Sequence, residues 1–165
     1  MIIPTDYYMG RDAAYPGELT DAIRTNVNEL LGRVNLLLAW ALRDGVRPAL
    51  DARTRCHVAS GWRPAAVNDA TANAAKSSRH LTGEAIDLRD SGTRDLARWC
   101  LKNIGALEEI GLWMEDPMWT PTWVHLQSVP PASRRRVYVP STRPPLASRL
   151  PEQEEWGGLP ASGYA

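Results

Sequence analysis

The sequence predicts a single small domain that mixes helix and strand. Three observations carry this expectation: an apolar stripe at helical spacing over residues 19–42, two short alternating segments at 84–88 and 123–127, and 165 residues of which 44% are apolar. A chain of this size and composition can bury a real core without disulfide staples. The two cysteines, Cys56 and Cys100, are too few for a disulfide framework, lack a CxxC pair, and read as reduced, packed thiols.

The elements follow in order. Residues 1–17 are polar, carry Tyr7, Tyr8 and Tyr15, and read as an ordered arm or a loose leader, giving an N-terminal arm over 1–18. From 19 to 42 the residues Ile23, Val27, Leu30, Leu31, Val34, Leu37, Leu38, Ala41 and Leu42 recur every three or four positions, as on an amphipathic helix. Thr20 and Asp21 suit its start and Asp44-Gly45 its stop. Residues 57–60 read as a strand closed by Gly61-Trp62-Arg63-Pro64, and 65–76, rich in Ala and Asn, as a short helix or turn. A strand at 84–88 precedes a second helix at 93–103, with Leu96, Trp99, Cys100 and Ile104 on one face. Residues 111–115 and 123–127 read as strands around a Pro-containing loop, and 137–139 as one more short strand. Pro-rich composition past residue 140 predicts an extended or disordered tail over 141–165, leaving 19–140 as the folded domain. The Arg134-Arg135-Arg136 triplet reads as a solvated face or a salt-bridged strand edge rather than a phosphate contact.

Charge and hydropathy narrow the function. Nineteen basic residues balance nineteen acidic ones, which gives no support to a nucleic-acid or membrane-surface binder. No run of about 18 apolar residues is present, so no transmembrane helix is expected. The first ten residues show no basic segment followed by an apolar one, so the expectation is a protein made and left in a cytoplasm, without a signal peptide. Seven Trp against no Phe, and 17 Arg against two Lys, do not by themselves select a function.

The chemistry concentrates in two segments. In Ser78-Arg79-His80-Leu81-Thr82-Gly83-Glu84-Ala85-Ile86-Asp87-Leu88, strand alternation sends Ile86 and Leu88 to a core and Asp87 to the opposite face. A carboxylate on a short apolar strand needs a partner, whether Arg, a backbone turn or a metal. On a continuous helix, His80 would stand roughly 10 Å of rise from Asp87, but Gly83 argues for a bend that folds His80 back beside it. In Thr122-Trp123-Val124-His125-Leu126-Gln127, alternation puts Val124 and Leu126 on the core face and Trp123, His125 and Gln127 on the other. Two His and one carboxylate, with a fourth position left to water, make a catalytic zinc set. On spacing alone a hydrogen-bonded His–Asp pair is the competing reading.

Ser60-Gly61-Trp62-Arg63-Pro64, then Asn68, then Ser78-x-His80-x-x-Gly83-x-Ala85-x-Asp87, then Trp123-Val124-His125 resembles the M15 metallopeptidases. These are the zinc D-Ala-D-Ala carboxypeptidases, D-alanyl-D-alanine dipeptidases and phage L-Ala-D-Glu endolysins that cut the peptide part of bacterial cell wall; the hedgehog signalling domain shares their fold. The resemblance spans about residues 56–128. It implies an α+β domain with an antiparallel sheet carrying the ligands, and Zn2+ held by His80, Asp87 and His125. It implies that Arg63 anchors or polarises substrate, with a buried salt bridge as the alternative, and that Ser78 hydrogen-bonds substrate, with a turn cap as the alternative. Trp62 and Trp123 either wall the cleft or pack in the core, and His57 has no role that the resemblance supplies.

The implied function is hydrolysis of a peptide bond in peptidoglycan stem peptides or cross-links by a monomeric, endolysin-like protein that meets the wall through phage lysis or virion delivery. The alternatives are an inactive zinc-containing wall-binding or virion module, and a structural protein whose His80, Asp87 and His125 are merely hydrogen-bonded. The catalytic base is where the chain departs from the pattern. Relatives carry an acid three residues before the last His, or a His close by, whereas this chain has Thr122 and Trp123 there. A hairpin of 112–115 with 123–127 would set Glu115 opposite residue 122 or 123. Pairing with Trp123 would place it on the His125 face, making it the expected base. Asp116, before Pro117, is the weaker candidate because Asp-Pro often caps a turn, and Glu84 a remote third because alternation points it away from Asp87.

Overall fold

The apolar stripe folds as the longest helix among the described residues, and its buried face shares one hydrophobic core with the sheet. The computed structural model describes residues 1–140; the predicted tail at 141–165 lies outside the described residues. In chain order the elements are α1 (Pro4–Tyr8), α2 (Arg11–Ala14), α3 (Asp21–Arg43), β1 (Val58–Ser60), α4 (Ala65–Ala70), β2 (Ala85–Arg89), α5 (Asp95–Lys102), α6 (Ile104–Glu109), β3 (Trp113–Glu115), β4 (Trp123–Gln127) and β5 (Val137–Tyr138). The fold is α+β.

Helix α3 begins where the Thr20 hydroxyl accepts the Ile23 N–H at 3.3 Å, which satisfies one of the free donors of the first turn. Its face of Val27, Leu30, Leu31, Val34, Leu37 and Ala41 is buried, each large side chain contributing about 1.5–3 kcal/mol relative to exposure. Helix α5 is started by Asp90, whose carboxylate accepts the N–H groups of Leu96 and Ala97 at 3.1 and 2.9 Å. Its Cys100 is fully buried, and burial, aided by the charge of Asp90, pushes the thiol up to about 12. That agrees with an unreactive packed thiol.

The sheet runs β1-β2-β4-β3-β5. Its first four strands pair antiparallel, but β5 pairs parallel with β3, so the sheet is mostly rather than wholly antiparallel. The cause is topological: β5 reverses direction after β4, as consecutive strands usually do, but lands on the far side of β3. Arg136, just before β5, donates to the Leu112 carbonyl at 2.8 Å and stacks over Trp113 at 4.3 Å. That member of the Arg triplet therefore anchors β5 by hydrogen bonding and cation–π contact; Arg134 and Arg135 are exposed.

Residues 1–18, expected as an ordered arm or a loose leader ahead of the 19–140 domain, are ordered and pack into that domain. Ile2, Tyr7 and Tyr8 are buried in the same core as α3 and the sheet. Asn35 of α3 holds the Ile2 backbone through both its N–H and its carbonyl, at 2.7 and 2.9 Å. Helices of five and four residues are too short to show periodicity, which is why the segment reads as merely polar. Among the described residues no helix is long and apolar enough to cross a membrane.

Candidate metal centre

Two adjacent strands and one turn bring the charged residues together. Strand β2 pairs with β4 so that Asp87 sits directly opposite His125. Directly opposed residues share a face, and His125 Nδ1 lies 2.7 Å from Asp87 Oδ1. His80 arrives from the turn before β2. Gly83 reverses the chain there in the left-handed region, at φ +75°, and a Cβ at this position would meet Val27 Cγ2 at 2.8 Å. The bend folds His80 back until its Nε2 is 3.4 Å from Asp87 Oδ1. One ligand atom from each of His80, Asp87 and His125 lies within 4.8 Å of the others.

The surroundings decide how these groups are charged. His80 is 2% exposed, Asp87 5% and His125 9%, so none relies on bulk water for solvation. Burial pushes the His80 pKa down against the pull of Asp87 and favours the neutral ring. Burial would raise the Asp87 pKa, but the hydrogen bond that His125 donates and the charge of that ring work against it, and the carboxyl stays below the usual carboxylate range. Burial also opposes the charged form of His125, yet the hydrogen bond it donates to Asp87 and the charges of Asp87 and Glu115 leave its pKa raised. Behind the carboxylate, Arg63 donates to Asp87 Oδ2 at 2.8 Å and to Ser60 Oγ at 2.9 Å.

This donor set fits a cation. His80 Nδ1 is 2.8 Å from the Gly61 carbonyl, which can only accept, so Nδ1 carries the proton and Nε2 carries the lone pair. That buried Nε2 makes no hydrogen bond among the described residues and faces a carboxylate oxygen. A lone pair aimed at an anion is unfavourable unless a cation lies between them. The buried group of His80, Asp87 and His125 could therefore hold a metal ion.

The three side chains open onto a cavity of about 750 Å3. Glu115 lines it and is nearly buried. The register differs from the expected one: Trp113 pairs with Gln127 and Met114 with Leu126, which brings Glu115 level with His125 rather than with Trp123. The shift is two residues, so Glu115 stays on the His125 face. Asp116 does not line the cavity; its carboxylate caps the following turn by accepting the Met118 N–H at 2.9 Å. Glu84 is held outside by Arg79 at 3.2 Å and by the Thr82 hydroxyl at 2.6 Å.

The remaining candidates divide. Ser78 lines the cavity and also receives a long bond from the His80 N–H, at 3.4 Å. Arg63 lines the cavity as well, but its Nε and Nη2 are engaged in the ion pair and the Ser60 bond, as in the salt-bridge alternative. Trp123 is on the cavity wall. Trp62 is not: it is fully buried against Tyr8, with its Nε1 donating to the Leu81 carbonyl, and substrate binding by its ring is thereby corrected. His57 lies 3.1 Å from the Ala49 carbonyl, away from the cavity. Trp119 and Tyr138 are among the lining residues that escaped sequence reasoning. The Tyr138 hydroxyl donates to Gln127 Oε1 at 2.6 Å. Alternation along 137–139, whose Val137 is buried, was the available signal for Tyr138; Trp119 sits in a turn without periodicity. Comparison with known protein families, with curated proteins and with solved structures finds no match to this chain.

Proposed function

We propose that this chain is an M15-like zinc peptidase that hydrolyses a peptide bond in bacterial peptidoglycan stem peptides or cross-links, in the manner of a phage endolysin. The observation that carries the reading is the meeting of two imidazoles and one carboxylate on the wall of a cavity, with a further carboxylate level with His125. Three protein ligands with nitrogen and oxygen donors favour zinc with an open position, where closed structural sites use four ligands and usually Cys.

When bound, zinc supplies a Lewis acid for the scissile carbonyl and the attacking water. The chain's own residues supply the rest. His80 keeps its proton on Nδ1 through Gly61 and offers Nε2. Arg63 fixes the orientation of the Asp87 carboxylate through Oδ2, leaving Oδ1 toward the two imidazoles. Glu115 takes the proton from water as its oxygen attacks the carbonyl carbon, and passes that proton to the amine as the C–N bond breaks. Trp119 and Trp123 form apolar wall for the peptide, and Ser78 offers a hydroxyl at the cavity edge.

Incubation of purified sacculi with the zinc-loaded protein, followed by mass spectrometry, tests this. The expected result is new muropeptides with one peptide bond cut, and turnover about 100-fold or more lower in Glu115→Gln, which keeps zinc and fold. Near-normal turnover in Glu115→Gln would remove that residue from the role. Unchanged sacculi with stoichiometric zinc would overturn the peptidase reading in favour of a wall-binding module.

A further inference from the structure

The ligand His80 is set by a short segment that is itself set from the N-terminus. The Gly61 carbonyl faces His80 Nδ1 at 2.8 Å, the Arg63 N–H donates to the His80 carbonyl at 3.0 Å, and the Arg63 side chain holds Asp87. Residues 61–63 thus touch two of the three ligands. Arg11 of α2 donates from Nη1 to the Trp62 carbonyl, in the middle of that segment, at 2.6 Å. Tyr7 of α1 packs so closely on Gly61 that a Cβ there would come within 1.9 Å of the Tyr7 carbonyl oxygen. The Tyr7 hydroxyl then reaches past it to donate to the Ala85 carbonyl at 2.8 Å, two residues before Asp87. Neither Tyr7 nor Arg11 lines the cavity, so neither is placed to touch substrate.

We propose that Arg11, backed by Tyr7, is a positioning residue for the metal centre, holding the 61–63 segment so that His80 keeps Nδ1 on Gly61 and Nε2 toward the metal. This rests on the metal reading above. Bracing and simple electrostatics predict opposite signs. Arg11 is a cation whose field reaches Asp87 and Arg63. Removing a nearby positive charge favours a bound dication, whereas removing a brace lets His80 and Asp87 move apart.

The experiment uses the full chain and measures Zn2+ affinity by competition with a chromophoric chelator, the visible spectrum of the Co2+ form, and melting of the metal-free protein. Arg11→Gln is expected to weaken Zn2+ binding about 10-fold or more, the scale for loss of a group that orients a ligand, and to alter the Co2+ bands. Arg11→Lys, which can still donate to Trp62, should recover part of the affinity. Tyr7→Phe, which removes one hydroxyl and no charge, should weaken binding in the same direction and carries the test if Arg11→Gln does not fold. Leu107→Ala on α6, which contributes nothing to the cavity, should lower the melting temperature without moving Zn2+ affinity. Unchanged or tighter Zn2+ binding in Arg11→Gln or Tyr7→Phe would overturn the proposal, as would an equal loss in Leu107→Ala. Absence of Zn2+ binding by the parent chain would instead defeat the metal reading itself, and this inference with it.

Discussion

Ile86 and Asp87 are neighbours on one strand, and Leu126 and His125 on the next, yet they belong to two different faces. Ile86, Leu88, Met114, Val124 and Leu126 join the hydrophobic core, while Asp87, Glu115, His125 and Gln127 line the cavity. Exposure does not separate them: Leu126 is at 0% and Asp87 at only 5%. What separates them is what burial demands. An apolar side chain needs only volume to fill, whereas each buried polar group needs a partner in the right place. The core face therefore tolerates conservative repacking, and the cavity face depends on individual atoms.

The largest test of that contrast removes the two proposed histidine ligands. The double variant His80→Ala, His125→Ala is expected to lose tight Zn2+ binding altogether and to keep its fold, since the core face is untouched. Metal analysis of the purified variant checks the first part and circular dichroism the second; full metal occupancy would remove these residues as ligands. The mirror experiment cuts the core face. Leu126→Ala should cost about 2–5 kcal/mol in denaturant unfolding, with the folded fraction still binding Zn2+ as the parent does. A collapse of metal affinity at small stability cost would show that the two faces are not independent.

The smallest expected effect lies within the cavity face itself, between its two histidines, in chelator-treated protein. His80 has a folded pKa below its ordinary 6.5, so its contribution to stability is complete above 6.5 and is lost as pH falls through the lowered value. His125 has a folded pKa above 6.5, so its contribution is complete below 6.5 and is lost as pH rises through the raised value. Together they place a stability maximum near pH 6.5. Thermal melts across pH should show His80→Asn flattening the acid limb and His125→Asn the alkaline limb. The same limb flattening in both variants would contradict the opposite shifts. Zn2+ needs deprotonated ligands, so its stabilisation should grow with pH and mask the alkaline limb.

Much of this was legible along the chain because it depends on local pattern. The three-and-four spacing of α3, the alternation in β2 and β4 and the bend at Gly83 follow from short-range rules; alternation left His80, Asp87 and His125 as one reading among others, the resemblance selected them as a set, and the structure places them together. The two short N-terminal helices, α6 and the parallel placement of β5 were not legible, because segments this short or this irregular carry no period to detect.

Which side chains share a strand face can be read from residue order, since alternation is a property of the extended backbone. The rest depended on how the elements pack in three dimensions, and the folded chain chose it. It set Glu115 level with His125, because register between strands is chosen by packing and by the loop that joins them. It turned Trp62 inward and left Trp123 on the cavity wall, because the space left by the N-terminal helices, not the residue type, settles where a large ring can go. And it brought Tyr7 and Arg11 beneath a site more than fifty residues away in sequence, a contact that no local rule encodes because only the closed core brings the two ends of that span together.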